Sequence, residues 1–255
     1  MEHRGRSLGK RQRRCRELDI PVMIAFEGFG AAGKGLQIGK LIQALDPRGF
    51  RVYAVKSETE EEKMHPFLWR FWTKLPEKGR IAIYDTSWYR RVLTDRFDKK
   101  VKKSELAGAY ESILSFEDQL ADDGMVIIKI FLAIDKKEQK KRFEKLLSSK
   151  DTAWRVTRGD LKRNEKFEKY QEMNEEMLAR TDTEKAPWHI VEAVDRRFAT
   201  VKIYSIVEEM LRRQVDKAES APVEERTDTP GADAAETKEL MESILGKVDL
   251  GLSCG

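Results

Sequence analysis

Gly28, Gly33 and Lys34 fit the spacing G-x-x-x-x-G-K within Ala25-Phe-Glu-Gly-Phe-Gly-Ala-Ala-Gly-Lys-Gly35. The chemistry such a stretch supports is phosphate binding. Glycines let backbone N–H groups converge on phosphate oxygens, a helix opening at the loop adds positive potential, and lysine supplies a point charge. Gly28, Gly30, Ala31, Ala32, Gly33, Lys34 and Gly35 are therefore candidate phosphate-binding positions, with Lys34 neutralising the transferring group. The plain alternative is a glycine-rich turn that matches the spacing by accident. The residue after the lysine is Gly35, not Ser or Thr, so the hydroxyl that holds magnesium in such loops is missing. A second candidate, Asp85, ends the apolar run Ile81-Ala-Ile-Tyr-Asp85. A carboxylate at a strand end near a phosphate loop can hold Mg²⁺ directly or through water. Aspartate is also a common turn residue there, so its metal role rests on its pairing with the glycine loop.

These residues need a strand ahead of the loop and a helix behind it. Pro21–Phe26 is an apolar run of strand type, and Leu36–Leu45 is amphipathic. Further strands are expected at Arg51–Lys56, Arg80–Tyr84, Met125–Ala133 and Trp188–Glu192. Helices are expected at Pro66–Leu75, Ser104–Ala121, Lys136–Leu147 and Arg197–Arg213. Such alternation predicts an α/β fold, a P-loop kinase-like parallel sheet with helices on both faces. Ligands of these sheets sit beyond the carboxyl ends of the strands, where the glycine loop falls. The stretch 148–183 breaks the alternation with charge and helical phasing. It reads either as a solvated helical excursion or as a basic helical lid over phosphates.

Residues 1–20 carry seven Arg or Lys between Arg4 and Arg16, read either as a solvated helix or as an arm that attracts a polyanion. The phosphotransferase domain is expected over 21–215, an acidic linker over 216–239, and a short amphipathic segment over 240–255. Charged residues reach 37% but nearly cancel at +4, which gives no ground for expecting a nucleic-acid partner. Cys15 and Cys254 stand at opposite ends, so neither a disulfide framework nor a paired metal ligand is expected. Without an apolar run of membrane-spanning length, the cytoplasm is the expected location and no membrane partner is expected.

The loop and several further motifs resemble the polyphosphate kinase 2 family, over roughly Leu18 to Leu211. They are Glu27-Gly-Phe-Gly-Ala-Ala-Gly-Lys-Gly35, Leu45-Asp-Pro-Arg-Gly-Phe50, Arg70-Phe-Trp-Thr-Lys-Leu-Pro-Glu-Lys-Gly-Arg-Ile81 and Tyr84-Asp-Thr-Ser-Trp-Tyr-Arg-Arg91. Phe116–Leu120, Glu176–Thr181 and Ala186–Trp188 match as well. The resemblance implies phosphoryl transfer between inorganic polyphosphate and a nucleotide (AMP/ADP or GMP/GDP), with Mg²⁺, in a homo-oligomer. It implies catalytic roles for Lys34, Asp85 and Arg91, and a phosphate or nucleotide channel with Asp95, Arg96, Arg155 and Arg158. Ser243–Leu250 resembles the leader of a further domain in the tandem polyphosphate:AMP phosphotransferases.

The sequence departs from the family pattern in three places. Gly30 replaces an aspartate that helps hold magnesium, Thr86 replaces an arginine, and Thr152-Ala-Trp-Arg155 replaces Lys-Arg-Trp-Lys. These predict a slow enzyme, and Gly30→Asp with Thr86→Arg is expected to raise transfer at least about tenfold. The alternatives are a catalytically weak binding domain, favoured by the same two positions, and an ATP-dependent nucleoside monophosphate kinase.

Overall fold

A computed structural model describes residues 2–220. Five parallel strands, β1 (Val22–Gly28), β2 (Phe50–Ala54), β3 (Ile81–Asp85), β4 (Val126–Ala133) and β5 (Trp188–Glu192), form one sheet in the order β2-β3-β1-β4-β5. The register aligns Phe26 with Asp85 on one side and with Ile130 on the other. β1 is buried along its whole length, as a central strand covered on both faces must be. The edge strand β2 exposes Arg51, Val52 and Ala54. All five expected strands are present, displaced by no more than two residues at either end.

The helices are α1 (Glu2–Glu17), α2 (Lys34–Ile42), α3 (Glu60–Lys63), α4 (Trp69–Trp72), α5 (Thr94–Phe97), α6 (Leu106–Asp122), α7 (Lys136–Leu147), α8 (Lys150–Ala153), α9 (Arg158–Glu165), α10 (Phe167–Thr181) and α11 (Arg196–Ser220). The helix expected over Pro66–Leu75 is a single α-helical turn, α4, flanked by short hydrogen-bonded turns, because Pro66 and Pro76 bracket it. The basic N-terminal stretch is a helix docked on the domain, with Leu8, Gln12 and Cys15 buried. Burial pushes the Cys15 thiol up to about 11, so it is inert at neutral pH.

The stretch 148–183 divides in two. α10 buries Phe167, Tyr170, Met173 and Met177 in the core, whereas α8 and α9 bury none of their residues. Only the α8–α9 portion therefore has the exposure of a lid. The linker expected from residue 216 begins too early, because α11 runs on to Ser220 with Val215 still in the core. The segment 240–255, Cys254 and most of that linker lie outside the described residues.

Candidate phosphate-transfer site

β1 delivers the glycine loop to the carboxyl edge of the sheet. Gly28, at φ +133°, has no room for a side chain, since a Cβ there would fall 2.3 Å from the Leu132 carbonyl oxygen. Gly33, at φ +105°, turns the loop into α2, and Lys34 is that helix's first residue. Lys34 Nζ donates to the Gly28 carbonyl at 3.2 Å, holding the ammonium over the loop. The helix N-terminus has no side-chain cap, leaving its N–H groups for an anion.

β3 brings the second group. Asp85 aligns with Phe26, and a Cβ at Gly35 would lie 3.8 Å from Asp85 Oδ2. The place where a loop hydroxyl would stand is thus beside the strand-end carboxylate. No donor among the described residues holds the Asp85 carboxylate. Next to it, Thr86 adopts φ +65°, a left-handed conformation costly for a β-branched residue. Its amide donates to the Phe26 carbonyl at 3.1 Å, fixing the loop after β3 against β1.

Beneath the loop lies Glu27, whose Oε1 accepts from the Ser87 amide at 2.7 Å and the Ser87 hydroxyl at 2.8 Å. Burial pushes its carboxyl up, and the nearby Lys34 ammonium with the Ser87 donors only partly offsets this. α7 buttresses the loop from the other side. Gln139 donates to the Gly30 carbonyl at 3.0 Å, and Arg142 Nη1 reaches the carbonyls of Ala31 and Ala32 at 3.1 and 3.0 Å. Arg142 Nη2 bonds the carbonyls of Ala193 and Val194 at 2.7 and 2.9 Å, so one buried guanidinium joins the loop to the segment after β5.

A cavity of about 1020 Å³ opens above these groups. Of the expected site residues it is lined by Gly30, Ala31, Gly33, Lys34, Gly35, Asp85 and Arg155. Its far wall comes from the end of α7 and the α8–α9 segment, with Asp160, Thr152 and the exposed Trp154. Asp160 is half-buried. Burial alone would raise its carboxyl, but the Thr157 hydroxyl and amide and the Arg163 guanidinium outweigh burial and hold it below the usual range.

The other expected residues do not line this cavity. Ala32 is buried under the loop. Arg91 faces Glu105 at 3.7 Å and lies over the Phe67 ring. Asp95 is buried against Arg90 at 3.2 Å, and Arg96 pairs with Glu176 at 2.6 Å. Arg158 is exposed at the first position of α9. Gly30 lines the cavity but is crowded. Its φ is not positive, but a Cβ there would meet Phe143 Cζ at 3.1 Å and Asp160 Oδ1 at 3.3 Å. Sequence reasoning missed Gln139, Arg142 and Asp160. The first two sit three residues apart on α7, a spacing that places them on one face, yet their loop contacts bridge about a hundred residues of chain.

A parallel sheet in this order, with an uncapped glycine loop after its central strand and a carboxylate at the end of the neighbouring strand, defines a P-loop kinase-like protein. The family model for polyphosphate kinase 2 matches residues 2–219, and the chain belongs to that family. It is 38% identical over 192 residues to a polyphosphate:AMP phosphotransferase of Pseudomonas syringae pv. tomato, covering 75% of this chain and 39% of the relative. It is 37% identical over 196 residues to the protein of that name from Pseudomonas aeruginosa, covering 77% and 40%. The chain thus spans about two fifths of the length of these curated relatives. The crystal structure of polyphosphate kinase 2 from Arthrobacter aurescens TC1 superposes with a TM-score of 0.80 at 30% identity, covering 94% of this chain and 84% of that one.

Proposed function

We propose that this domain transfers a phosphoryl group between inorganic polyphosphate and a nucleoside mono- or diphosphate. The observation that carries the reading is the cavity where Lys34, the free N-terminus of α2 and Asp85 converge beneath a helical wall bearing Arg155. The names of relatives act in support, since they include polyphosphate:AMP, AMP/ADP-polyphosphate and GDP-polyphosphate phosphotransferases.

In the reaction, the terminal phosphate of the donor chain lies in the glycine loop. Lys34 and the loop N–H groups stabilise the equatorial oxygens of the transferring group as its bridging bond loosens. Arg155 neutralises further charge from above. An oxygen of the acceptor phosphate attacks in line, which forms the new anhydride as the bridging oxygen of the donor leaves with the shortened chain. Water is kept out by closure of the α8–α9 segment.

Mg²⁺ fits this donor set. The ion takes one or two carboxylates and fills its remaining positions with phosphate oxygens and water. Asp85, unencumbered and facing the cavity, is such a carboxylate, whereas no cluster of three or more His, Cys, Asp or Glu exists among the described residues. When bound there, the metal would neutralise charge on the phosphates. The reading places the protein in the cytoplasm as a homo-oligomer, with neither membrane nor nucleic acid as partner. No helix among the described residues is long and apolar enough to cross a membrane.

The test is to incubate the purified chain with Mg²⁺, polyphosphate and each of AMP, ADP, GMP and GDP, and to separate the nucleotides by chromatography. A phosphorylated product dependent on both polyphosphate and Mg²⁺ is expected. No product from any acceptor, or product only with ATP as donor, overturns the reading. Light scattering and cell fractionation test the oligomer and the location.

A further inference from the structure

A second basic concavity of about 880 Å³ lies between α1 and the far end of α2. Lys10, Arg13 and Lys40 line it, all exposed and none ion-paired among the described residues. Their neighbours on the surface differ: Arg14 is paired with Glu17 and Glu219, and Arg48 with Asp46. The floor is narrow in side chains. Gly5 sets α1 within 3.6 Å of Ala44 Cβ, and Gly9 within 3.1 Å of the Ala44 carbonyl oxygen, both measured from where a Cβ would stand. Lys40 alone would be explained as a cation in the last turn of α2, matching the helix dipole. Lys10 and Arg13 are not explained that way, because they come from another helix.

The groove and the transfer cavity lie on the same two packed helices. α2 carries Lys34 at the cavity and Lys40 at the groove, about 9 Å apart along its axis. α11 carries Arg196 at the cavity and Tyr204 at the groove, about 12 Å apart. Gln37 donates to the Arg196 carbonyl at 3.0 Å and accepts from the Thr200 hydroxyl at 2.8 Å, fixing the two helices together midway. Residues six apart lie on different faces of a helix, so a linear polyanion with one end at Lys34 would cover that axial rise and turn part of the way around α2 to pass from cavity to groove.

We propose that this groove is a second polyanion subsite, which takes the distal part of an inorganic polyphosphate chain whose end occupies the Lys34 cavity. The inference rests on the donor assigned under the proposed function. A single-stranded nucleic acid would need aromatic platforms for its bases. The one aromatic in the groove, Tyr204, is buried and donates its hydroxyl to the Lys40 carbonyl. The site suits repeating phosphate charge without bases.

The experiment compares wild type with Lys10→Gln/Arg13→Gln/Lys40→Gln, measuring equilibrium binding of tripolyphosphate and of long-chain polyphosphate across a salt series. The variant is expected to bind tripolyphosphate as wild type does, and long chains at least tenfold more weakly. Its slope of log affinity against log salt should fall by about 2, as the loss of three phosphate contacts on a single strand requires. Urea unfolding checks the fold, and each single replacement, expected to remove about a third of that slope, stands in if the triple variant is unstable. Unchanged long-chain binding by the variant overturns the subsite while leaving the proposed function intact. Equal weakening for both lengths also overturns it. Wild type that binds neither ligand removes both readings. Single-stranded RNA that loses affinity in the variant while long polyphosphate does not would assign the groove to nucleic acid instead.

Discussion

At the scale of single residues, two positions decide whether the loop does chemistry. Lys34 is anchored to the Gly28 carbonyl and lines the cavity, but belongs to no packed core. Lys34→Ala should therefore lower transfer by on the order of 10²–10³, as removal of one electrostatic stabiliser does. The fold should hold, with an unfolding free energy within about 0.5 kcal/mol of wild type. Steady-state turnover and urea unfolding check this together, and unchanged turnover would remove the loop from the site. Gly30 is the more instructive position. The resemblance implies that an aspartate here, with arginine at 86, raises transfer. The geometry revises that. Phe143 and Asp160 already crowd the place of a Cβ, and a new carboxylate would stand against the Asp160 carboxylate. Gly30→Asp alone should destabilise the protein by about 1–3 kcal/mol through overpacking, and repulsion should add to this. Gly30→Asp with Asp160→Asn should recover part of the loss. If the single variant is both as stable as wild type and faster, Asp160 does not oppose a carboxylate at position 30.

At the scale of elements, the glycine loop and the strand-end aspartate were readable from sequence because each depends on local pattern. An apolar run, a glycine spacing and a polar strand end are contiguous signals, and all five strands followed from them. What escaped was long-range. Arg142 clamping Ala31 and Ala32, and the division of 148–183 into exposed α8–α9 and buried α10, depend on contacts that charge and helical phasing do not encode. Arg96 and Asp95 were placed in the channel by resemblance, whereas their nearest partners here are Glu176 and Arg90. α9 yields a pH prediction. Asp160 closes a capping box with Thr157 and accepts from Arg163 at 2.8 Å, and its carboxyl lies below the usual carboxylate range. A depressed folded value means the cap's contribution is complete above the ordinary carboxylate pKa of about 3.9. It is lost as pH falls through the lowered value. Asp160→Asn should weaken α9 at neutral pH by about 0.3–1 kcal/mol, the worth of a carboxylate in the first turn of a helix, and the gap between wild type and variant should narrow on acidification. Hydrogen exchange of the peptide spanning 157–166, corrected for intrinsic rates, is the measurement. An equal gap at pH 7 and pH 3 would contradict the assignment.

At the scale of the whole molecule, a buried polar network joins elements far apart in the chain. Lys129, on β4 and fully buried, donates to Glu117 Oε2 at 2.8 Å, to the Tyr89 hydroxyl at 3.0 Å and to the Thr181 carbonyl at 2.6 Å. Glu117 Oε1 accepts from the Trp88 indole at 2.9 Å and from Tyr89 at 2.6 Å. The network thus fixes the Trp88–Tyr89 turn, which follows Asp85 and Ser87, to α6, β4 and the end of α10. No sequence pattern announced it, since a lysine within an apolar strand looks like a break in the run. Each charge here depends on the other for the cost of leaving water. Lys129→Met should strand Glu117 and cost about 3–5 kcal/mol. Lys129→Met with Glu117→Leu should cost less than the two single losses added together, because neither charge is left alone. It should not return to wild type, because Tyr89, Trp88 and Thr181 would still lose their partners. Urea unfolding of the four proteins gives the coupling energy. Strictly additive losses would mean that the lysine and glutamate act independently, and the turn beside Asp85 would then be held by packing instead of by this ion pair.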